Sequence, residues 1–407
     1  MRNIKIGNRI YNGHACFVFV ILLVLIYLEI RGGRSYFDEI LCLFAVAYII
    51  VLAIKNRLTK NDGVNILLMV CVIGIGILSN LFSGIPVPIF SVIVDIIAET
   101  KVLWIFFAVK YFINGETKES LVRMLTPIAK IFIILAFSFS IISQLVDIGM
   151  TGSERYGIQG FNFIFPMSFQ FLAVSLIMFA ILSLNNLVRH KTLYYVMGCI
   201  SLIFSIKSSP LLVGIMFLFF LYYFKRKNKI KIRTLVFLAI VITLIGSFQI
   251  QTYLMNENAP RYLFFYYGGV TANDYFPLGS GFATFGSDQA ARIYSPLYYK
   301  YGFSGLFGMT PEDGSFLSDT FWPMAIGQFG WGGFILYVLI YLRIFYSFKS
   351  KISLPPDQKA LLYSGFISYI IHAVGSAILS ASAGVIGFIA LAIVLGSERL
   401  TLNGNNQ

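Results

Sequence analysis

Residues 10–30 read IYNGHACFVFVILLVLIYLEI, and this stretch decides the class of fold. From Ala15 to Leu28 it carries no charged side chain, so a helix built from it has no face suited to water. About 20 consecutive apolar residues in helical form cover the ~30 Å hydrocarbon core of a bilayer. The apolar runs along the chain are continuous, not the alternating ten-residue segments of a β-barrel, and in lipid only helices or closed barrels satisfy their own backbone. Composition agrees: of 407 residues 58% are hydrophobic and 12% charged, with a mean hydropathy of +0.80, whereas soluble chains carry roughly 25% charged residues. The expectation is an all-α, polytopic integral membrane protein formed as a single membrane domain over residues 1–407. Helices are expected near residues 10–30, 36–54, 64–82, 88–113, 128–148, 164–184, 193–206, 210–224, 234–250, 320–345, 360–380 and 383–396, about 12 transmembrane helices (10–13).

Charge sets the orientation. With the N-terminus inside, most of the 31 Lys and Arg fall on the cytoplasmic side, as the positive-inside bias requires. The run KRKNKIKIR at 225–233 reads as an anchor at the anionic inner leaflet, not as a nucleic-acid site. Both termini are then cytoplasmic, and no signal-peptide cleavage pattern precedes the first run. Cys16, Cys42, Cys71 and Cys199 lie in apolar runs without CxxC spacing, so each reads as a small hydrophobe; no disulfide framework and no metal site is expected.

One connection is long. Residues 251–319 form an extracytoplasmic loop between the ninth and tenth spans, rich in Tyr, Phe, Gly and Ser, and long ordered loops tend to carry function. QTYLMNENAPRYLFFYYGG and SDQAARIYSPLYYKYG each read as a short helix. PLGSGFATFGS at 277–287 reads as a tight turn at the membrane surface; it lacks the Lys-Ser/Thr ending of a phosphate-binding P-loop.

The external bases run against the charge bias, so each one counts: Arg155, Lys207, Arg261, Arg292 and Lys300. Cations without acids beside them suit a diphosphate at headgroup height, because a guanidinium grips phosphate with two parallel hydrogen bonds. Asp95, Glu99 and Lys101 lie within the fourth span, where burial of an ionised group is costly. His372, in SYIIHAVGSAILSASAG, is either a packing residue or part of a site. Asp319, in FLSDTFWPM, is either the cap of the next helix or a general base. The loop aromatics Tyr262, Tyr266, Tyr267, Tyr294, Tyr298 and Tyr299 offer faces on which sugars stack.

The order of these pieces resembles the Wzy-type polymerases of O-antigen, capsular and exopolysaccharide repeat units. The likeness rests on the long loop before the last three spans, on PLGSGFATFGSDQAARIYSPLYYKYG and SDTFWPMAIGQFGWGGFILY, and on DIIAETK and ERYGIQGF earlier in the chain. The resemblance implies a glycosyltransferase joining undecaprenyl-pyrophosphate-linked repeat units at the outer face of the membrane. Its donor and acceptor are both lipid-linked glycans, with a chain-length regulator and a repeat-unit flippase as possible partners. The activated phosphoester supplies the energy, so no cofactor is implied. The family's loop arginines map by position onto Arg155, Arg261 and Arg292; Lys207 stands where many relatives carry Arg. Tyr294 and Lys300 join the substrate-binding set, and Asp319 or His372 would accept the hydroxyl proton. Two other readings fit the same residues: an O-antigen ligase using the same donor, or a transporter or flippase of lipid-linked oligosaccharide.

Overall fold

The computed structural model describes residues 4–396 apart from 7–8, 34, 156, 258, 352 and most of 227–254. The expected ninth span, 234–250, and the run 225–233 beyond Arg226 therefore lie almost wholly outside the described residues.

The chain is helical. Its elements are α1 (Gly13–Arg31), α2 (Phe37–Ile54), α3 (Lys60–Ser83), α4 (Ile89–Phe112), α5 (Gly115–Ile142), α6 (Ser168–Leu184), α7 (Lys191–Phe204) and α8 (Ser208–Lys225). They continue with α9 (Pro260–Asp274), α10 (Asp288–Arg292), α11 (Pro296–Lys300), α12 (Phe321–Lys349), α13 (Pro356–His372) and α14 (Ser382–Leu395). Two small antiparallel hairpins, unforeseen in the sequence, pair β1 (Ile4–Ile6) with β2 (Arg9–Tyr11) and β3 (Thr151–Arg155) with β4 (Ile158–Phe161). Among the described residues six helices, α1, α2, α3, α5, α8 and α12, are long and apolar enough to cross a membrane. The long loop differs from expectation in one detail: SDQAARIYSPLYYKYG forms α10 and α11, not one helix, because Pro296 begins a new helix capped by Ser295 Oγ accepting from Leu297 N.

Burial sorts the helices into a centre and a rim. α6 and α14 are buried along nearly their whole length, the signature of core helices apolar all round. α1, α2, α3 and α5 bury one stripe only. Their outward residues stay apolar, with Phe44 70% and Leu81 73% exposed; a continuous surface of that kind is tolerable against lipid tails, not water. Of the cysteines, Cys42 and Cys199 are buried as expected, but Cys71 is exposed on α3, and all four are free thiols.

The helices do not end together. At one end of the bundle, here the lysine end, Lys110 of α4 meets Asp62 of α3 at 2.8 Å, and Tyr48 of α2 packs on Phe112 of α4 at 5.8 Å. At the other end, the first turn of α2 meets only the middle of α4: Lys101 Nζ lies 2.6 Å from both Asp38 and Glu39. Roughly 18 Å of α4, with the matching end of α3, therefore stands beyond α1 and α2. The segment 260–319 wraps this projection and makes it a cap.

α12 turns back on itself beneath that cap. Gly330 has φ 61° and ψ −174° inside the helix, a conformation open to glycine. Phe321 packs edge-on against Tyr337 at 5.7 Å and Trp322 against Tyr341 at 5.9 Å, pairs that a straight helix would hold more than ~20 Å apart. The Gly-rich turn fits into this reversal: Ser280 N donates to Gly327 O at 3.0 Å and Gly281 N to Gln328 O at 2.8 Å. Residues 279–287 are thus fully buried, correcting the expectation of a surface turn. Gly281 is needed for the fit, since a Cβ there would stand 2.6 Å from Asn80.

Candidate functional site

Asp95 ties the cap to the bundle. Its carboxylate accepts from Ala283 N at 2.5 Å, Ser287 Oγ at 3.0 Å and Gln328 Nε2 at 3.1 Å. Asn80 adds a pair of bonds, Nδ2 donating to Phe282 O at 2.9 Å and Oδ1 accepting from Phe282 N at 2.8 Å. The buried acid of the DIIAETK stretch is therefore a structural clasp that gives the irregular backbone of 280–287 its hydrogen-bond partners.

Beneath the clasp lies a cavity of about 290 Å³, lined among others by Asp38, Glu39, Glu99, Lys101, Ser287, Asp288, Arg292, Ser318, Thr320 and Ser382. Behind the cavity wall the Glu29 carboxylate of α1 accepts from the hydroxyl of Ser382, itself a lining residue. Asp38 and Glu39, which sequence reading passed over, hold Lys101 between them. Their signal was present: two adjacent acids opening an otherwise apolar run. The ionisable group of the fourth span is thus set at the level where α1 and α2 end.

Next to residues 318–320 two of the expected site residues pair, near the helix end that holds a third. Arg261 opens α9, with Pro260 at the first helical position, and its Nη2 donates to Asp319 Oδ2 at 3.0 Å. The guanidinium lies over Gly375, where a Cβ would stand 3.7 Å from Nη1. His372 ends α13 just before that glycine, and the Arg261 charge acts on its ring. Phe321 N donates to Ala373 O at 3.3 Å, which brings the chain after Asp319 against the end of α13. The His372 Nδ1 atom is buried without a hydrogen-bond partner. Asp319 is not the helix cap: Thr320 occupies that position and makes no side-chain capping bond. Burial pushes the Asp319 carboxyl above its ordinary value, although Arg261 pulls the other way.

The remaining residues separate. Arg292 borders the cavity, its Nε donating to Asp288 at 2.6 Å and its Nη1 to the Tyr36 hydroxyl at 3.3 Å. Lys300 lies 2.8 Å from Asp274, more than half exposed. The expectation of bases without neighbouring acids is thus overturned for Arg261, Arg292 and Lys300. A basic side chain at the end of a long chain lowers its energy by finding a carboxylate, and the loop supplies one to each. Tyr294 and Tyr298 are not sugar platforms: Tyr294 Oη donates to Met309 O at 3.0 Å and Tyr298 Oη to Leu317 O at 3.4 Å. Both rings belong to a small aromatic core with Phe264, Phe285 and Phe303. Tyr266 and Tyr299 keep exposed rings. Lys207 caps the start of α8 and makes an interaction of its own. The Arg155 backbone lies in β3, but its side chain falls outside the described residues. Among the described residues no group of three or more His, Cys, Asp or Glu is arranged to hold a metal ion.

The site therefore combines a guanidinium shared with a carboxylate, an imidazole at a helix end, and a polar cavity next door. Such a set can hold an anion and accept a proton within one neighbourhood. No family model, no curated protein and no solved structure matches this chain.

Proposed function

We propose that the protein is a lipid-pyrophosphate-dependent glycosyltransferase that polymerises undecaprenyl-pyrophosphate-linked repeat units. In this reading it has about twelve spans, with both termini in the cytoplasm and the segment 260–319 at the outer face of the bacterial inner membrane. The charge bias supports that orientation. The observation that carries the chemistry is the Arg261–Asp319 pair lying over Gly375, just past the helix end that holds His372.

A hydroxyl oxygen of the acceptor sugar attacks the anomeric carbon of the donor glycan. The bond from that carbon to the pyrophosphate oxygen breaks, and undecaprenyl pyrophosphate leaves with the electron pair. Arg261 is drawn from Asp319 onto the pyrophosphate and holds its developing charge. The freed Asp319 carboxylate accepts the hydroxyl proton, and its raised pKa makes it a better base. His372 lies within reach of the Arg261 charge and steadies this exchange. Arg292 serves the second pyrophosphate from the cavity rim. A chain-length regulator and a repeat-unit flippase are the expected partners.

Deleting the gene tests the class. A polymerase mutant leaves single repeat units on the surface; a ligase mutant accumulates long lipid-linked polymer; a flippase mutant retains the repeat unit inside. Complementation with wild type, but not with Arg261→Ala, assigns the step to this site. Restoration of full-length polymer by Arg261→Ala would remove the basis of the reading.

A further inference from the structure

The cavity under the Asp95 clasp is not explained by the transfer chemistry. Its floor holds Glu99, 4% exposed, with Oε2 lacking any hydrogen-bond partner, and its wall holds Thr320, 1% exposed, with Oγ1 likewise unpartnered. Glu39 Oε2 is a third such atom. Groups buried in this state cost stability unless something else satisfies them.

The wall chemistry defines what that partner must offer. The hydroxyl hydrogens of Ser287, Ser380 and Ser382 are already committed, to Asp95, to Ala377 O and to Glu29. These oxygens present lone pairs to the cavity, as do the open carboxylate oxygens. Inside the cavity Lys101 is held between Asp38 and Glu39, and Arg292 stands at the rim against Asp288. Lone pairs beside the open Thr320 hydroxyl call for a guest that both donates and accepts, as sugar hydroxyls do. A bare ion would leave most of the space unfilled: a water molecule occupies ~30 Å³ of liquid, so 290 Å³ is the scale of one small ring and its substituents, below that of an oligosaccharide.

We infer that this cavity is a subsite for a single hydroxyl-rich sugar ring, with Glu99 and Thr320 exchanging hydrogen bonds with its hydroxyl groups. The inference rests on the proposed function for the source of the sugar, which would be one residue of the glycan whose reacting end lies beside Asp319. Ser318 and Thr320, which line the cavity, flank Asp319 along the chain. Glu99 is a positioning residue: it fixes the ring and leaves the proton transfer to Asp319.

The test uses the purified full-length protein in detergent, without lipid-linked substrate. Its thermal midpoint is followed against glucose, galactose, rhamnose, N-acetylglucosamine and N-acetylgalactosamine up to 100 mM, with sodium and ammonium chloride as parallel arms. At least one sugar is expected to raise the midpoint saturably. Glu99→Gln and Thr320→Val should each weaken that sugar by tenfold or more, while Arg261→Ala leaves its affinity unchanged. Thr320→Val keeps shape, so it stands as the check if Glu99→Gln fails to fold. No saturable response to any sugar in the panel overturns the inference. So does a response confined to sodium or ammonium, which would make the cavity a cation site. Because the readout needs no polymer, sugar binding with normal polymer from Arg261→Ala would break the proposed function and spare the subsite. The reverse pattern, loss of polymer in Arg261→Ala with no sugar response, would break the subsite alone.

Discussion

The two ends of the helix bundle handle charge in opposite ways. At the lysine end every described acid that is buried is saturated. Asp62 receives Lys110 through both oxygens at 2.8 Å, Tyr111 at 2.6 Å and Thr59 at 2.7 Å. Asp357 receives Tyr195 at 3.0 Å and Lys191 at 3.5 Å, and Lys118 donates to the last carbonyls of α14, Val394 O and Gly396 O. At the capped end Glu39, Glu99, Thr320, Gln328 and His372 all keep a buried polar atom without a partner. The lysine end satisfies its buried acids, although the Tyr223 hydroxyl there stays open; an end that leaves several groups open, two of them carboxylates, is prepared to meet something else.

That contrast can be broken, beginning where the effect should be largest. Arg261→Ala and Asp319→Asn are expected to abolish polymer at unchanged protein level, read from surface-glycan ladders beside an immunoblot. Arg261→Lys should lose most of the activity too, because a point charge cannot replace the planar fork. If Asp319 is the proton acceptor, transfer in membrane vesicles should decline as pH falls through its folded pKa. Burial raises that value, so the acid limb should sit above the ordinary carboxylate range of about 4. A limb at or below that range removes Asp319 from the role.

Asp95→Ala removes three hydrogen bonds from the clasp, an expected loss of about 3 kcal/mol. Faster proteolytic cleavage within 277–305 would show that the cap has loosened. At the lysine end Asp62→Ala should cost about 2–3 kcal/mol in thermal unfolding, since Lys110 is left half-hidden; transfer per folded molecule should not change. A selective loss of transfer there would erase the distinction between the ends. Lys300→Ala, at an exposed pair with Asp274, should alter stability by no more than about 0.5 kcal/mol and leave polymer length as it is.

Much of this was legible from residue order. α1, α2, α3, α6 and α14 fall close to the expected spans because long apolar runs permit little else. Arg261, Asp319 and His372 stood out for a physical reason: ionisable groups are scarce in this chain, so a buried or outward one draws attention, and Arg261 and Asp319 do pair. The failures are equally specific. Tyr294 looked like a stacking platform because it neighbours Tyr298 and Tyr299, yet only Tyr299 faces outward. The acids that pair with Arg292 and Lys300 are four and twenty-six residues away, and pairing at the longer distance leaves no trace in spacing.

By itself, then, the sequence determined that this chain folds as helices against lipid, and which few charged residues were worth attention. Only the tertiary structure decided that α12 doubles back at Gly330, that Asp95 clasps Ala283, and that an acceptor-lined cavity lies beside Arg261, Asp319 and His372. The reason is reach. Hydrophobic periodicity is written within one helix, whereas Asp95 and Ala283 are 188 positions apart and meet only because the packed helices hold them there.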